Sequence, residues 1–562
     1  MELNIRLSGA AGQGIQTAND ILGKLATRSG YFCYSFNDAE SRIRGGINFN
    51  HMRVSTLPVS APRERVDILI ALSSPGLESN LSKLVDNGVL ISGVKTETAG
   101  KSTFELGSLD ITNKKVYGLA AVAVVSSILN IALPDLEKII KEQFKGKESI
   151  LDINLDAARQ AYSMAQSWTE GAALSLNPPK ESLQQGKWLS GGDAFALGAA
   201  AGGVSFVAAY PMSPATSIMT NLSHWSKELE VHVEQAESEV TAINMVAGAS
   251  YAGARALTST SGGGFALMTE GISLTGMIET PLVVAIAQRP GPATGLPTRT
   301  AQGDLRFAIH GGHGFFPRVV LAPKNINDNF TITSEAFDLA EKYQIPVIVL
   351  TDQLLQDSKQ SLKNFDFDSI SQKRYQLSRE ELEKLDVYQR YRFTDDGVSP
   401  LAYPGQSSHP VVVDSDEHDQ DGHLTESAEI SKKMAEKRHR KLKTILQSCK
   451  KPESWNLKPG IPLVLTWGST WGVVNEVQKR LEKQGIEFAH VNLSWMWPLP
   501  ADFFRKELEQ ASKTIIIEHS VGSEFESLMR EVTLHDFDHA VRKMDGRPFG
   551  VEDIEVELKE LL

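Results

Sequence analysis

The sequence predicts an α/β protein made of three α/β domains and a connecting region. At 562 residues the chain is too long for one hydrophobic core, and about 150 residues per domain implies three or four. Short apolar runs of strand length alternate with stretches of helical spacing along most of the chain. That alternation weakens only between Asp357 and Pro452, where charged, aromatic and Gly/Pro-containing pieces follow one another.

The first domain is read over residues 1–175. Leu3, Ile5 and Leu7 alternate as in a strand, the glycine loop GAAGQG spans Gly9 to Gly14, and Ile15, Ala18, Ile21, Leu22 and Leu25 recur at helical spacing before Gly30. Val66–Leu72 and Gly88–Ile91 read as buried strands. Gly118–Leu133 is broken by Ser126, Ser127 and Asn130, too short to span a bilayer, and reads as a core helix. Prolines and polar residues make 176–187 a linker. A second α/β domain, 188–357, has strand candidates at Val204–Ala209, Pro281–Ala287 and Ile345–Leu350, expected to be parallel with helical crossovers. The connecting region, 358–455, includes the basic helix SKKMAEKRHRKLKTIL from Ser431, read as a solvated face. The last domain, 456–562, alternates again through PLVLTWGS, FAHVNLSWMWPLP and TIIIEHS.

Composition excludes several functions. Against 69 Asp and Glu the chain carries 57 Lys and Arg, a net charge of −12, which opposes nucleic-acid binding. Cys33 and Cys449 alone build neither a disulfide framework nor a four-thiolate cluster. No basic stretch followed by an apolar one opens the chain, so a cytoplasmic protein without membrane attachment is expected.

Three segments carry chemistry. In VHVEQAESEVTAINMVAGASYAGA, Ser238 is an N-cap and Val240, Ile243, Val246 and Ala247 follow at helical spacing, so Glu239 opens a helix. Taken alone it better suits an exposed glutamate favoured by the macrodipole, beside Glu234 and Glu237. YPMSPAT, Tyr210 to Thr216, follows a strand; its two prolines fix the backbone while Ser213 and Thr216 offer hydroxyls, a pattern that also suits a strand-to-helix turn with an N-cap. AQRPGPATGLPTRTAQGDL places Arg289 at the carboxyl end of the next strand candidate, where ligands of open α/β sheets collect and where a guanidinium can grip a carboxylate through two bonds.

These segments together resemble the alpha subunits of 2-oxoacid:ferredoxin oxidoreductases with a fused N-terminal gamma domain, most closely the 2-oxoglutarate type. The stretch from Glu239, with Gly248 nine positions on, resembles the pyrimidine-binding domain of thiamine diphosphate enzymes, a register that selects Glu239 over Glu237. The resemblance makes Glu239 the acid that hydrogen-bonds the aminopyrimidine and activates the cofactor. YPMSPAT is similar to the family's YPITPS, with Ser213 in place of the carboxylate-binding threonine. The resemblance implies that Ser213, Thr216 and Arg289 bind the 2-oxoacid, that Tyr210 and Pro211 line the cofactor, and that Arg299 meets a second carboxylate. GAAGQGI and SRIRGG resemble the gamma domain; Gly12, Gln13, Arg42 and Arg44 either face coenzyme A or serve interdomain packing. The regions 391–405 and 414–426 resemble the family's connecting region, with Leu401 where arginine is common. Asp416, His418, Asp421 and His423 read as a hydrated loop or subunit contact rather than a metal site. WGSTWG and IEHSVG resemble its transketolase C-terminal-like domain.

The family's other half-site motif is missing: no GDG occurs in this sequence. The resemblance therefore implies that a beta subunit supplies the diphosphate site, Mg2+ and a [4Fe-4S] cluster, that this chain ligates no metal, and that the assembly is (alpha-beta)2. The implied reaction converts 2-oxoglutarate, coenzyme A and oxidised ferredoxin into succinyl-CoA, CO2 and reduced ferredoxin, with reversal for CO2 fixation open. Pyruvate or a branched-chain 2-oxoacid is the alternative substrate, and a non-catalytic assembly subunit the alternative of another class. A dinucleotide oxidoreductase built on Gly9–Gly14 with Asp38 is disfavoured, because the glycine order is not GxGxxG.

Overall fold

A computed structural model describes residues 2–39, 48–96, 101–169, 174, 176–177, 186–371 and 373–562. Arg42, Arg44 and most of the 176–187 linker lie outside the described residues. The chain forms two compact units, Met1–Ser190 with Asp357–Phe365 and Gly550–Ile554, and Gly191–Gln356 with Asp366–Phe549 and Glu555–Leu562.

The first unit is built on a mixed eight-stranded sheet. Its order is Ser102–Glu105, Leu84–Ser92, Val66–Ala71, Glu2–Gly9, Asn48–Ser55, Phe32–Ala39, Lys359–Leu362, Lys187–Ser190, parallel across the first four strands and antiparallel thereafter. Helices Ile15–Arg28, Tyr117–Ile128, Leu133–Gln143 and Glu148–Thr169 bury their apolar side chains with Leu3, Ile5, Leu7, Ile68 and Ile70 in one core. Tyr117–Ile128 is buried almost all round, which explains why its sequence lacks an amphipathic stripe. Lys187–Ser190 and Lys359–Leu362 come from far along the chain; four residues are too few to show a period of two.

The second unit holds two sheets. The larger runs Trp495–Trp497, Val319–Leu321, Pro346–Asp352, Leu282–Gln288, Ala256–Thr260, Phe206–Ala209, His232–Gln235, parallel except for Trp495–Trp497. The three long apolar runs are its inner strands, buried on both faces, as parallel strands between helix layers require. From Phe206–Ala209 the chain moves outward to His232–Gln235 and then returns to the other side at Ala256–Thr260. Strand order reverses there, the kind of place where open α/β sheets gather ligands at the carboxyl ends of their strands. The smaller sheet orders Glu453–Trp455, Ala489–Leu493, Leu463–Trp467, Thr514–Glu518, His539–Arg542, parallel but for its first strand.

The basic helix corrects the expectation of a solvated face. Over Ala428–Gln447, Lys437 and Lys441 have 0% exposure and Arg438 is buried. Glu279 meets Lys437 Nζ at 2.8 Å and Lys441 Nζ at 2.5 Å, while Arg390 donates to the Glu279 carbonyl at 2.6 Å. Burial works against the Glu279 carboxylate, but Lys437, Lys441 and Arg390 outweigh it and hold the group far below the usual carboxylate range. With three cations around one anion, burial pulls Lys437 down to about 8 despite the attraction of Glu279. His418 is also buried, its ring 3.9 Å from that of Tyr391, so this part of 414–426 packs inside rather than forming a hydrated loop.

Candidate active site

Glu239 begins the helix Glu239–Tyr251, where Ser238 accepts from the Thr241 backbone N–H at 3.2 Å. The helix start separates the neighbouring glutamates. Glu237 is exposed and accepts from Thr241 Oγ1 at 2.8 Å, whereas Glu239 is only 4% exposed. Its Oε1 is buried without a hydrogen-bond partner among the described residues. An orphaned buried carboxyl oxygen is costly, of the order of 1–3 kcal/mol or more, and calls for a donor from outside the chain.

The wall facing that oxygen is glycine. A Cβ on Gly264, in the helix Gly262–Met277, would lie 2.7 Å from Glu239 Oε1 and would also strike Thr260 Oγ1. Gly271 on the same helix admits Ile243, whose Cγ2 would be 2.7 Å from an added Cβ, so the two helices pack closely. Gly248, by contrast, is exposed and meets nothing within 4 Å. Val240, Asn244 and Met245 are likewise exposed on the same helix, as are Ala266 and Leu267 on its neighbour.

The other two segments converge on this point. Arg289, just past the strand Leu282–Gln288, donates from Nη1 to the Ser213 carbonyl at 2.6 Å. Burial lowers its pKa from the usual guanidinium value, an effect that Asp304 opposes. Met212 Sδ lies 3.9 Å from Thr260 Oγ1, so the Tyr210–Thr216 loop touches the residue beside Gly264. Thr216 begins the helix Thr216–His224 with its N–H on the Met212 carbonyl at 3.2 Å, and Tyr210 and Pro211 stand partly exposed at the rim. Glu239, Ser213 and Arg289 are thus joined by a continuous chain of contacts.

Arg299 is placed elsewhere on its loop, its Cβ side against Gly546. In the first unit, Gln13 Oε1 accepts from Ala10 N–H at 2.7 Å and its Nε2 donates to the Leu72 carbonyl at 3.2 Å, clasping the glycine loop to a strand end. Gly12, at φ 93°, is open.

Sequence reasoning missed Asp304, Gln302 and Gly264. Burial first, then the Glu524 charge, push the Asp304 carboxyl up to about 6, while Arg289 opposes the rise. Gln302 donates to the Trp467 carbonyl at 2.9 Å and accepts from Thr470 Oγ1 at 2.8 Å and His519 N–H at 2.9 Å, pinning the loop to the strand ends of the smaller sheet. Their partners are remote in sequence; only the run Gly262–Gly264 marked a close approach.

A buried acid at a helix start, an orphaned oxygen facing glycine and an arginine on a neighbouring loop all lie in a domain that resembles a thiamine diphosphate-binding family. Residues 197–438 match the family model described as pyruvate flavodoxin/ferredoxin oxidoreductase, thiamine diphosphate-binding, and residues 4–164 match pyruvate ferredoxin/flavodoxin oxidoreductase. The chain belongs to the 2-oxoacid:ferredoxin oxidoreductase alpha subunits. It is 29% identical to the 2-oxoacid:ferredoxin oxidoreductase subunit alpha of Sulfolobus over 100% of this chain and 97% of that one. It is 30% identical to the 2-oxoglutarate synthase subunit KorA of Methanocaldococcus jannaschii, over 66% of this chain and 98% of that one. Among solved structures it is similar to the 2-oxoglutarate:ferredoxin oxidoreductase of Magnetococcus marinus, with TM-score 0.92, 29% identity, and coverage of 100% and 99%. No helix among the described residues is long and apolar enough to cross a membrane, and no group of three or more His, Cys, Asp or Glu among them could hold a metal ion.

Proposed function

We propose that this chain activates the cofactor and grips the substrate in a 2-oxoglutarate:ferredoxin oxidoreductase that works in the cytoplasm. The observation that carries it is the unpartnered Glu239 Oε1 at Gly264, in contact sequence with Ser213 and Arg289. Thiamine diphosphate, when bound, supplies the carbon nucleophile and the electron sink that decarboxylation of a 2-oxoacid needs. Glu239 Oε1 would hydrogen-bond the cofactor's aminopyrimidine ring, and Gly264, where a Cβ would crowd that oxygen, leaves room for it. Arg289 pairs with the substrate carboxylate beside Ser213, Thr216 orients the same end, and Arg299 is assigned to the far carboxylate. Tyr210 and Pro211 are assigned to the cofactor. In the first unit Gly12 and Gln13 are assigned to coenzyme A, together with Arg42 and Arg44 outside the described residues.

The diphosphate, Mg2+ and [4Fe-4S] sites are assigned to a beta subunit, which passes electrons to ferredoxin, in an (alpha-beta)2 assembly. Its docking surface is assigned to the exposed Val240, Asn244, Met245, Gly248 and Leu267. The expected products are succinyl-CoA, CO2 and reduced ferredoxin, with carboxylation in reverse when reduced ferredoxin is abundant. Initial rates of the reconstituted complex with 2-oxoglutarate, pyruvate and branched-chain 2-oxoacids test the substrate. A preference for pyruvate replaces 2-oxoglutarate in this assignment; failure with every 2-oxoacid, despite bound cofactor, makes the chain an assembly subunit.

A further inference from the structure

Building on the assignment of Arg289 as substrate clamp, we propose that Asp304 takes up one proton as a 2-oxoacid binds, making substrate affinity pH-dependent. Asp304 closes the loop that Arg289 opens. Its backbone N–H donates to Gln288 Oε1 at 3.1 Å, and Gln288 Nε2 donates to the Thr351 carbonyl at 3.2 Å, so the Asp304 backbone is fastened to the strand tip that leads into Arg289. It is pressed against the start of the helix Gly262–Met277, where a Cβ on Gly262 would lie 2.6 Å from Asp304 Cγ and Oδ2. Oδ2 is buried with no hydrogen-bond partner among the described residues.

The charged groups facing Asp304 come from two packed elements and its own. Arg289 follows the strand Leu282–Gln288 and favours ionisation; Glu524 opens the helix Glu524–Thr533 and opposes it. On the Asp304 side, Arg306 donates its backbone N–H to Glu524 Oε2 at 3.0 Å. The first turn of Gly262–Met277 presents only glycines. In the free site the carboxyl already titrates at about 6, burial being the main cause.

A carboxylate arriving on Arg289 neutralises the cation that favours the ionised form and adds a negative charge beside it. Both effects raise the proton affinity of Asp304, so above that pH a proton from solvent moves onto Asp304 Oδ2 as the substrate docks. One linked proton weakens binding by up to about tenfold per pH unit, and by nothing below the free-site value. The effect is larger for a doubly charged 2-oxoacid than for a singly charged one.

The test uses the complex of this chain with its beta subunit. Titration calorimetry of 2-oxoglutarate into the thiamine-free complex at pH 7, in phosphate and in Tris, reads protons taken up from the difference in buffer heats. Roughly half a proton or more per site is expected for the wild type and none for Asp304→Asn. In the cofactor-loaded complex, log KM should rise with pH above about 6 in the wild type and stay flat in Asp304→Asn, with KM changing far more than kcat. Gly262→Ala, which sets a methyl group against the carboxyl, should displace the same limb. Equal proton uptake in wild type and Asp304→Asn, or a wild-type KM that is flat up to pH 8.5, overturns the proposal. Turnover with a flat KM overturns this proposal alone, whereas no turnover with any 2-oxoacid overturns the assignment of the site.

Discussion

Glu239 and Arg289 differ in what their loss removes. Glu239→Gln keeps size and burial but removes the proton exchange at Oε1, so kcat of the reconstituted complex should fall by about 10²–10⁴ with little change in KM. Near-normal kcat would take Glu239 out of the mechanism. Arg289→Lys keeps the charge but loses the two-pronged grip, and its effect should fall on KM for the 2-oxoacid, by roughly tenfold to a hundredfold. Asp304 adds a pH signature in stability. Its carboxyl is raised above the ordinary value, so the folded state holds the proton longer, and stability present below about pH 4 is lost as pH rises through about 6. Asp304→Asn should therefore stabilise the chain more at pH 7.5 than at pH 4.5, as read by urea unfolding. The resemblance to thiamine diphosphate enzymes picked Glu239 from its neighbours, and the structure buries it while exposing Glu237; the orphaned oxygen was not legible, because it depends on a helix more than twenty residues further on.

At the scale of elements, the Ala428–Gln447 helix shows how composition misleads. A basic run usually lies on a solvated face, and nothing local reveals that Lys437 and Lys441, one turn apart, share Glu279. Glu279→Gln leaves three buried cations without their anion and should destabilise the second unit by about 3–5 kcal/mol, seen as a lower melting temperature. An unchanged melting temperature would show that the cations reach solvent. The apolar runs at Val204–Ala209, Pro281–Ala287 and Ile345–Leu350, by contrast, were legible as strands, because a strand buried on both faces must be apolar throughout.

For the whole molecule, the exposed residues on the helices Glu239–Tyr251 and Gly262–Met277 have a direct consequence. Leu267 is 56% exposed and Val240 49%, apolar surface that packing among the described residues does not use. Leu267→Asp should leave the isolated chain folded but abolish its elution with the beta subunit in gel filtration; normal co-elution would move the interface elsewhere. By itself the sequence determined the α/β class, the family, and the three segments that carry Glu239, Ser213 and Arg289, because each rests on motifs within a few turns of chain. Only the tertiary structure decided that Arg289 reaches the Ser213 carbonyl, that Asp304 stands beside it, and that the basic helix is buried. Those are relations between residues from fifteen to more than a hundred and fifty positions apart, and folding, not local pattern, chooses such partners.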